Sequence, residues 1–348
     1  MGNLTTGGYD VNFSLTPPFP VDKLATIVAS ELASSDEERQ HVHHLMARGL
    51  PPIVKTEVLA FILGISHKLL YAMTLRPENY YRFFTIPKRR GGERQIATPR
   101  VFLKVVQKWL LMNILYRKTL PPYVTGFVPG RGLLPNARYH IGSKYLARID
   151  LKDFFPSVGY EKVRSLYSDF GFPEKVVDLL TRLCLLGRVL PQGAPTSPHL
   201  ANLAFMPCDL EIEGIAKSHG ISYSRYADDL TFSSGKQIGH DFVRQIENVV
   251  AKNGFEINRE KISVSGPGQR LFTTGMVVHT KPQPLRKIRR QLRARFHQAR
   301  LHPERFKEER EANKLIGWAA YVNMYDPKLG GNYLAIARTV LELTRGNV

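Results

Sequence analysis

Cysteines, long apolar runs and targeting signals are scarce in this sequence, and each absence excludes a class of protein. The two cysteines, Cys184 and Cys208, are too few for a disulfide framework, and neither lies in a Cys/His cluster that would bind zinc. No apolar run is long enough to span a membrane, and the N-terminus lacks the basic and apolar regions of a secretory signal. We therefore expect buried thiols, a reducing cytoplasmic compartment and no membrane partner.

Acidic residues are also scarce relative to basic ones. The sequence has 30 Asp and Glu against 49 Lys and Arg, which gives a formal net charge of +19. Such a surface attracts polyanions, of which nucleic acid is the commonest, although charge alone leaves a ribosome-associated or membrane-surface protein open. Hydrophobic residues make up 43% of the 348 residues, enough for a sizeable core, and the length predicts two or three domains.

The order of the predicted elements is typical of an α+β fold, without the regular alternation of a doubly wound sheet. Apolar residues at helical spacing predict helices over residues 22–48, 55–75, 100–118, 160–187, 197–218, 240–254 and from 284 onward. Alternating or apolar runs predict strands over residues 81–87, 94–98, 144–151, 255–258, 262–265 and 271–279, and a hairpin over 221–233. Residues 1–20, rich in Gly, Thr and Pro, are predicted to be an extended arm.

Two adjacent acids, Asp228 and Asp229, lie at the tip of the predicted hairpin. Asp is common in turns because its side chain accepts hydrogen bonds from nearby N–H groups, so the pair alone is explained as an ordinary turn. Asp150 weakens that explanation, because it is a single acid in an apolar run at the end of a predicted strand. A buried carboxylate is costly unless it is paired or bound to a cation.

If the two strands are neighbours, Asp150, Asp228 and Asp229 meet and hold two Mg²⁺ ions, for which Mn²⁺ is an alternative. One ion would lower the pKa of an attacking 3′-hydroxyl, and the other would hold a triphosphate and stabilise the leaving pyrophosphate. Nucleotidyl transfer needs mostly this clamp and the alignment of the reacting groups. The hypothesis from these residues is a two-metal nucleotidyltransferase.

Three segments around these acids resemble the motifs of reverse transcriptases and follow the order of that family. Residues 226–229 (Tyr-Ala-Asp-Asp) resemble the YxDD box, residues 148–157 resemble the first catalytic motif of the bacterial enzymes, and residues 190–198 resemble the motif between them. Related segments run from about residue 81 to 300, most of the chain. The resemblance implies an RNA-directed DNA polymerase whose catalytic, metal-binding acids are Asp150, Asp228 and Asp229.

The resemblance also implies the right-hand polymerase fold, an α+β fold with fingers, a palm of antiparallel sheet backed by helices, and a helical thumb. We expect an N-terminal arm and helical extension over residues 1–80, fingers over 81–145, a palm over 146–280 and a thumb over 281–348. Helices of the fingers would be interleaved with the palm at about 160–190. The thumb would bind RNA or a duplex.

Gly91 and Gly92 between the predicted strands 81–87 and 94–98 predict a hairpin or loop in the fingers, and its cationic residues are candidates for phosphate contacts. By resemblance, Lys88 and Arg94 would bind the triphosphate, the first as a point charge and the second as a fork, whereas Arg89 and Arg90 would hold the template backbone. A solvated, charged hairpin is the alternative. Farther along the chain, Lys261 resembles the family's proton donor to the leaving pyrophosphate, and a surface lysine is nearly as good an explanation.

Other residues are assigned to the incoming nucleotide by the same resemblance. Phe155 would be the steric gate against a 2′-hydroxyl and Phe154 a core residue, because strand alternation lets only one of the two rings face the site. Gln192 would contact the sugar and base, and Gly193 would let the backbone approach a ligand. Leu151, next to the first acid, is assigned to both the nucleotide and the metal.

Two further segments resemble the boxes of retron reverse transcriptases. Residues 136–140 (Asn-Ala-Arg-Tyr-His) resemble an Asn-Ala-x-x-His box, and residues 273–275 (Thr-Thr-Gly) resemble a Val-Thr-Gly box with Thr273 in place of Val. On the residues alone, Asn136 is a turn or cap and His140 a packed helix residue. With the resemblance, both are assigned to nucleic-acid binding.

A basic helix is predicted near the end of the sequence, since residues 281–300 hold eight Lys and Arg and no acid. Apolar residues lie on one face, and the remaining faces are cationic. Phosphate contacts from such a helix give affinity without reading sequence. We assign Arg286, Arg289, Arg290 and Arg293 to nucleic-acid binding.

A retron enzyme copies its own structured noncoding RNA into multicopy single-stranded DNA, which stays joined to RNA by a 2′–5′ branch. The implied partners are that RNA, the DNA product, dNTPs and a retron effector protein in anti-phage defence. We expect no ribonuclease H or endonuclease domain after the thumb, which favours a retron over a group II intron protein. Two alternatives stay open: another stand-alone reverse transcriptase, of the abortive-infection or diversity-generating type, and a catalytically silent RNA-binding scaffold.

Overall fold

The computed structural model describes residues 21–88, 91–306 and 308–345, except for the side chains of residues 21 and 22. The predicted arm over residues 1–20 lies outside this range. The α-helices are α1 (Val21–Ile27), α2 (Asp36–Ala47), α3 (Thr56–Leu63), α4 (His67–Leu75), α5 (Val101–Asn113), α6 (Leu133–Arg138), α7 (Tyr160–Asp169), α8 (Glu174–Cys184), α9 (Ser197–Ser218), α10 (His240–Lys252), α11 (Arg286–Leu301), α12 (Glu309–Tyr325) and α13 (Pro327–Arg345). The strands are β1 (Tyr81–Pro87), β2 (Glu93–Pro99), β3 (Tyr145–Lys152), β4 (Ser222–Tyr226), β5 (Asp229–Ser234), β6 (Glu256–Ser265), β7 (Phe272–Thr273), β8 (Met276–Val277) and β9 (Gln283–Pro284).

The described residues divide into two compact units, of which one comprises those up to residue 120 and residues 153–207, and the other residues 121–152 and those from residue 208 onward. In the first unit, α8 packs against α3, α4, α5 and α7. Gln107 of α5 is fully buried and donates hydrogen bonds to the Tyr81 hydroxyl at 2.9 Å and to the Leu183 carbonyl at 2.8 Å. These bonds connect the start of β1 to α5 and α8.

The two-stranded sheet of the first unit is the predicted hairpin. Strands β1 and β2 pair antiparallel from Tyr81 opposite Pro99 to Pro87 opposite Glu93. The tip is closed by a hydrogen bond from the Lys88 N–H to the Gly92 carbonyl at 2.9 Å. The hairpin prediction is confirmed, while Arg89 and Arg90 lie outside the described residues.

The second unit is built on a four-stranded antiparallel sheet in the order β4-β5-β3-β6. Its central strand β3 is the apolar run around Asp150, and β4 and β5 are the predicted hairpin around Asp228. On its two faces, the side chains of Leu146, Ile149 and Leu230 are at most 1% exposed. The sequence pattern therefore predicted both strands that carry the acids.

A second apolar cluster in this unit lies among α11, α12 and α13. It is centred on Leu292, Phe296, Leu315 and Val322, and the ring of Phe296 stacks on Tyr333 with 4.0 Å between the ring centroids. The helical prediction for residues 284 onward is confirmed over these three helices.

Some predicted elements have different boundaries, and each difference has a local cause. The helix predicted over 160–187 is two helices, because Gly171, at φ 88°, and Pro173 separate α7 from α8. The two strands predicted over 255–258 and 262–265 are one strand, β6, whose register against β3 shifts between Arg148 and Asp150. This irregularity lets the polar residues between them remain in the strand.

Within the described residues, no single helix is both long and apolar enough to cross a membrane. The pair α3 and α4 meets that requirement of length and composition only jointly, with a bend of 110° between them.

Candidate active site

The three acids predicted to bind metal meet at one end of the four-stranded sheet. Asp150 of β3 is the cross-strand partner of Asp229 of β5, in the last pair of that ladder. The N–H of Leu151 donates a hydrogen bond to the Asp228 carbonyl at 2.8 Å, which holds the hairpin turn against the end of β3. The sequence predicted that these acids would meet only if their strands were neighbours. The pairing of β3 with β5 shows that the strands are neighbours.

The turn that carries Asp228 is tight and includes a residue in the left-handed region. Tyr226 pairs with Asp229, so only Ala227 and Asp228 lie between the strands, and Ala227 has φ 57°. Gly126 lies against this turn, and a Cβ on it would be 2.4 Å from the Ala227 nitrogen. Only glycine therefore fits at position 126, a requirement that sequence patterns did not reveal.

The electrostatics of the cluster are unfavourable for three ionised acids. Burial raises the pKa of Asp229 to about 7; the positive charge of Arg148 opposes the rise, and the charges of Asp228 and Asp150 add to it. Like charges at short range resist joint ionisation, and a divalent cation among them would remove that resistance.

Lys261 is the predicted proton donor, and the structure places it at the acids. Its ammonium donates a hydrogen bond to Oδ1 of Asp150 at 2.6 Å, and its side chain is 45% exposed. Lys261 thus neutralises part of the charge of the cluster. Lys261 lies in β6 and its side chain is partly exposed to solvent. Its role as the proton donor stays a prediction.

The donor set fits magnesium in its chemistry. It consists of carboxylate oxygens, with the main chain of Leu151 beside them, and Mg²⁺ prefers oxygen ligands. In the described part of the chain, no group of three or more His, Cys, Asp or Glu side chains is already arranged around a metal position. Lys261 holds an oxygen of Asp150 for which a metal ion would compete.

Sequence comparisons identify the family. The family model described as reverse transcriptase (RNA-dependent DNA polymerase) matches residues 86–292, more than half of the chain. The chain belongs to the reverse transcriptase family. It is 34% identical to the retron Mx162 reverse transcriptase of Myxococcus xanthus, over 83% of this chain and 67% of the relative. It is 33% identical to the retron Ec86 reverse transcriptase of Escherichia coli, over 80% of this chain and 87% of the relative.

The family match and these relatives identify the chain as an RNA-directed DNA polymerase of the retron type. Among solved structures, it is similar to apo telomerase from Candida Tropicalis truncated from its C-terminal domain, with a TM-score of 0.42 and 11% identity over 64% of this chain and 61% of the telomerase. The family, with the mixed helices and antiparallel sheets, confirms the predicted right-hand polymerase fold.

In the first unit of this reverse transcriptase, the predicted triphosphate ligands lie on the β1–β2 hairpin. Lys88 ends β1 and Arg94 lies near the start of β2, and both are exposed. Neither forms a salt bridge among the described residues. Their exposure agrees with a phosphate contact and with a solvated hairpin alike, so their role stays a prediction.

The structure separates Phe154 from Phe155 as predicted, but for a different reason. Strand β3 ends at Lys152, so both rings lie in the following turn, where Asp153 has φ 46°. Phe154 is 4% exposed and meets Phe205 edge to face, with 5.8 Å between the centroids, while Phe155 is half-buried. Strand alternation, on which the prediction was based, does not apply to these two rings, because they are not in a strand.

The loop that carries Gln192 packs on strand β2. The N–H of Ala97 donates a hydrogen bond to the Gln192 carbonyl at 2.9 Å. A Cβ on Gly193 would lie 2.9 Å from both the Ala97 carbonyl oxygen and Cγ2 of Ile96. The predicted close approach at Gly193 is thus explained by strand β2 rather than by a ligand. The Gln192 side chain is partly buried, and its contact with the sugar and base of the nucleotide stays a prediction.

Asn136 and His140 were predicted to bind nucleic acid, and the structure corrects this. Both are 0% exposed. The Asn136 amide donates to Ser224 Oγ at 2.8 Å, and the His140 ring nitrogens contact Ser224 Oγ at 2.7 Å and Ser233 Oγ at 2.8 Å. Because burial removes both side chains from solvent, they act on the strands of the catalytic hairpin and cannot contact an RNA surface directly.

Thr273, from the second retron-like box, joins the same buried network. Its hydroxyl donates to Oδ1 of Asn136 at 3.3 Å and shares a hydrogen bond with Thr231 of β5 at 2.8 Å. A threonine can make these bonds and the valine of the family box cannot. The two boxes that distinguish this subgroup therefore form one polar layer behind β4 and β5.

On α11, three of the four predicted nucleic-acid ligands are exposed: Arg286, Arg290 and Arg293. Arg289 is partly buried. Exposed cations thus recur at the spacing of one helical face, which favours contact with a polyanion. A cavity of about 320 Å³ on this surface is lined by Arg290, Arg293, Ala294, His297 and Gln298.

Arg148 is a functional candidate that the sequence prediction missed. Its positive charge opposes the rise in the pKa of Asp229, and its guanidinium donates to Ser263 Oγ at 3.2 and 3.1 Å while lying 4.2 Å from the centroid of Phe272. The signal was available, because residues two apart in a strand share a face, which places Arg148 beside Asp150.

Proposed function

We propose that Asp150, Asp228 and Asp229 bind two Mg²⁺ ions, with the main-chain oxygen of Leu151 beside them, to extend DNA on an RNA template. The observation that carries this proposal is the register of β3 and β5, which pairs Asp150 with Asp229. Bound Mg²⁺ would supply a lower pKa for the attacking hydroxyl and neutralise charge on the leaving pyrophosphate. Mn²⁺, which also takes oxygen ligands, would substitute for it.

The surrounding side chains have distinct proposed roles. Lys261, which holds Asp150 here, would be released where a metal ion takes that oxygen and would then donate a proton to the pyrophosphate leaving group. Lys88 and Arg94 bind the triphosphate of the incoming dNTP. Phe155 excludes a 2′-hydroxyl, and Gln192 contacts the sugar and base. The support for these last four assignments is the match of their motifs to the family.

We further propose that the template is one dedicated, structured noncoding RNA and that the product is multicopy single-stranded DNA. Synthesis begins from a 2′-hydroxyl of a guanosine in that RNA, which leaves a 2′–5′ branch. The identity to several retron reverse transcriptases supports this proposal. A retron effector protein and a role in anti-phage defence complete it.

The nucleic acid that co-purifies with the full chain tests the retron proposal. It is sequenced before and after treatment with a debranching enzyme, in parallel with the D228N/D229N double variant. We expect one dominant RNA joined to DNA through a debranchable linkage in the wild type, and the same RNA without DNA in the variant. Random cellular RNA contradicts a dedicated template, and unbranched cDNA favours another stand-alone bacterial reverse transcriptase.

A further inference from the structure

Arg225 is a buried charge that the proposed chemistry does not use. Arg225 and Asp209 are both 0% exposed, and their side chains form a two-pronged ion pair. Arg225 Nε donates to Asp209 Oδ1 at 2.8 Å, and Nη2 donates to Oδ2 at 2.6 Å. A buried pair of this kind is weak evidence for stability, because desolvation offsets the attraction, so its position needs another explanation.

The third prong of the guanidinium reaches the turn of the catalytic hairpin. Arg225 Nη1 donates a hydrogen bond to the Ala227 carbonyl at 2.9 Å. Ala227 is the residue with φ 57°, and its carbonyl belongs to the peptide that leads directly into Asp228. Non-glycine residues adopt this backbone region at a cost, and they remain there only when surrounding contacts hold them.

Asp209 and the main chain of Arg225 are each held by further hydrogen bonds. Tyr223 donates its hydroxyl to Oδ1 of Asp209 at 2.7 Å, so that carboxylate accepts from both Tyr223 and Arg225. The main chain of Arg225 pairs with the segment before Gly126, since its N–H donates to the Tyr123 carbonyl at 2.9 Å and its carbonyl accepts from the Thr125 N–H at 2.9 Å. The guanidinium therefore has little freedom to move away from the turn.

We propose that Arg225, oriented by Asp209, is a positioning residue that holds Ala227 in its left-handed conformation and thereby places the carboxylates of Asp228 and Asp229 for metal binding. This inference rests on the metal-binding role proposed above for those two acids. A planar fork with three directed donors suits the task, whereas a lysine carries the same charge and cannot contact the Asp209 carboxylate and the Ala227 carbonyl in the same geometry. The pair thus fixes the geometry of the acids through the turn at Ala227.

The conformation of Ala227 allows a test that distinguishes positioning from a general effect on stability. A glycine at this position should restore the activity of an Arg225 variant only if Arg225 acts by holding the turn. The variants are R225K, A227G and R225K/A227G. R182K is the control, because Arg182 also pairs with an aspartate: its Nε donates to both carboxylate oxygens of Asp178, at 2.9 and 2.8 Å, on helix α8. Glycine adopts φ 57° at no steric cost, so A227G removes the need for the restraint. The full chain of each variant is assayed for dNTP incorporation on a primed RNA template.

We expect R225K to lower kcat by about 100-fold, with KM for dNTP changed less than about threefold, since misplacement of about 1 Å is costly to catalysis. The double variant R225K/A227G should have a kcat at least about tenfold higher than that of R225K, and the kcat of R182K should match that of the wild type. The proposal is overturned if R225K retains wild-type kcat, or if a folded R225K is not restored by A227G. If R225K does not fold, D209N and D209N/A227G replace R225K and R225K/A227G. The same order of kcat is then required: the single variant lowest, with recovery in the double variant.

Mn²⁺ binding provides a second measurement that does not need turnover. Electron paramagnetic resonance titration of each full chain, corrected with the D228N/D229N variant, reports occupancy of the acids. We expect weaker Mn²⁺ binding in R225K and recovery in R225K/A227G; equal binding in all variants contradicts the positioning role. A wild type that binds Mn²⁺ without incorporating dNTP contradicts only the proposed polymerisation, so the two failures can be distinguished.

Discussion

At the scale of the residue, the adjacent rings of Phe154 and Phe155 make a matched pair for testing the steric gate. We expect F155A to raise incorporation of ribonucleotides relative to dNTPs by about 10- to 100-fold, because removal of the ring would free space for a 2′-hydroxyl. The measurement is the ratio of kcat/KM for the two substrates. An unchanged ratio would remove Phe155 from the nucleotide site.

F154A is the control, and its effect should fall on stability. Phe154 is 4% exposed and packs against Phe205, so its truncation leaves a cavity. We expect a loss of about 3–5 kcal/mol in the free energy of unfolding, measured in urea, with the substrate ratio unchanged in the folded fraction. A change in the ratio for F154A, but not for F155A, would exchange the roles of the two rings.

The burial of His140 predicts a pH dependence of stability. Burial lowers the pKa of His140 from 6.5 to about 3, so the folded protein keeps this ring neutral while the unfolded chain takes up a proton below pH 6.5. The associated stability is complete above pH 6.5 and is lost as the pH falls toward 3. The slope from one such group is about 1.4 kcal/mol per pH unit.

The H140Q variant isolates this contribution. Urea unfolding between pH 7 and 4.5 should show a shallower loss of stability for H140Q than for the wild type, even though H140Q is less stable at pH 7. His199, whose pKa burial lowers to about 4, contributes to the slope of both proteins. Parallel slopes in the two proteins would show that His140 does not carry the acid sensitivity.

At the scale of the element, helix α11 is expected to bind nucleic acid through its exposed arginines. R286A/R290A/R293A should weaken binding to any RNA–DNA duplex and reduce the slope of log K against log salt by about 0.9 for each phosphate that the variant no longer binds. Fluorescence anisotropy over a salt series measures both quantities. An unchanged salt slope would show that α11 does not bind phosphates.

The matched control removes three cations that are already paired with acids. Lys217, Arg244 and Lys252 form ion pairs with Glu213, Asp241 and Glu211, respectively. K217A/R244A/K252A changes the net charge by the same amount as the α11 variant. Equal decreases of affinity in both triple variants would mean that net charge, and not the α11 surface, attracts the nucleic acid.

The catalytic hairpin depends on a neighbouring segment that leaves no space for a side chain. G126A should lower kcat by at least about tenfold, because the new Cβ would be 2.4 Å from the Ala227 nitrogen and must displace the turn. The measurement is dNTP incorporation by the soluble, folded variant. G132A is the control, since a Cβ there meets no atom within 4 Å, and an equal loss in both variants would contradict the steric explanation.

Elements with strong local patterns were predictable, and their supports were not. The alternating run around Asp228 and the apolar run around Asp150 predicted β5 and β3, because side-chain periodicity is a property of each strand alone. The fit of Gly126 to Ala227 and the fork from Arg225 to Asp209 join residues far apart in sequence. No local pattern contains such contacts, so the structure was needed to find them.

At the scale of the whole molecule, resemblance predicted the family and its fold, while the roles of individual residues depended on burial. Asp150 pairs with Asp229 of the neighbouring strand, as the two-metal hypothesis requires, whereas Asn136 and His140 lie inside the protein next to the hairpin. The error has a physical cause, because a motif that distinguishes a subgroup does not reveal whether its side chains face solvent. Burial, and not spacing, separates a ligand-binding residue from a positioning residue.

The most direct test of the central claim is metal-dependent dNTP incorporation on a primed RNA template by the full chain, compared with the D228N/D229N variant. Asparagine keeps the shape of each side chain and removes the charge that would hold Mg²⁺. We predict primer extension by the wild type that requires Mg²⁺ or Mn²⁺, and a loss of at least about 1,000-fold in the folded double variant. Equal extension by the two proteins would contradict the assignment of these acids as the metal-binding catalytic centre.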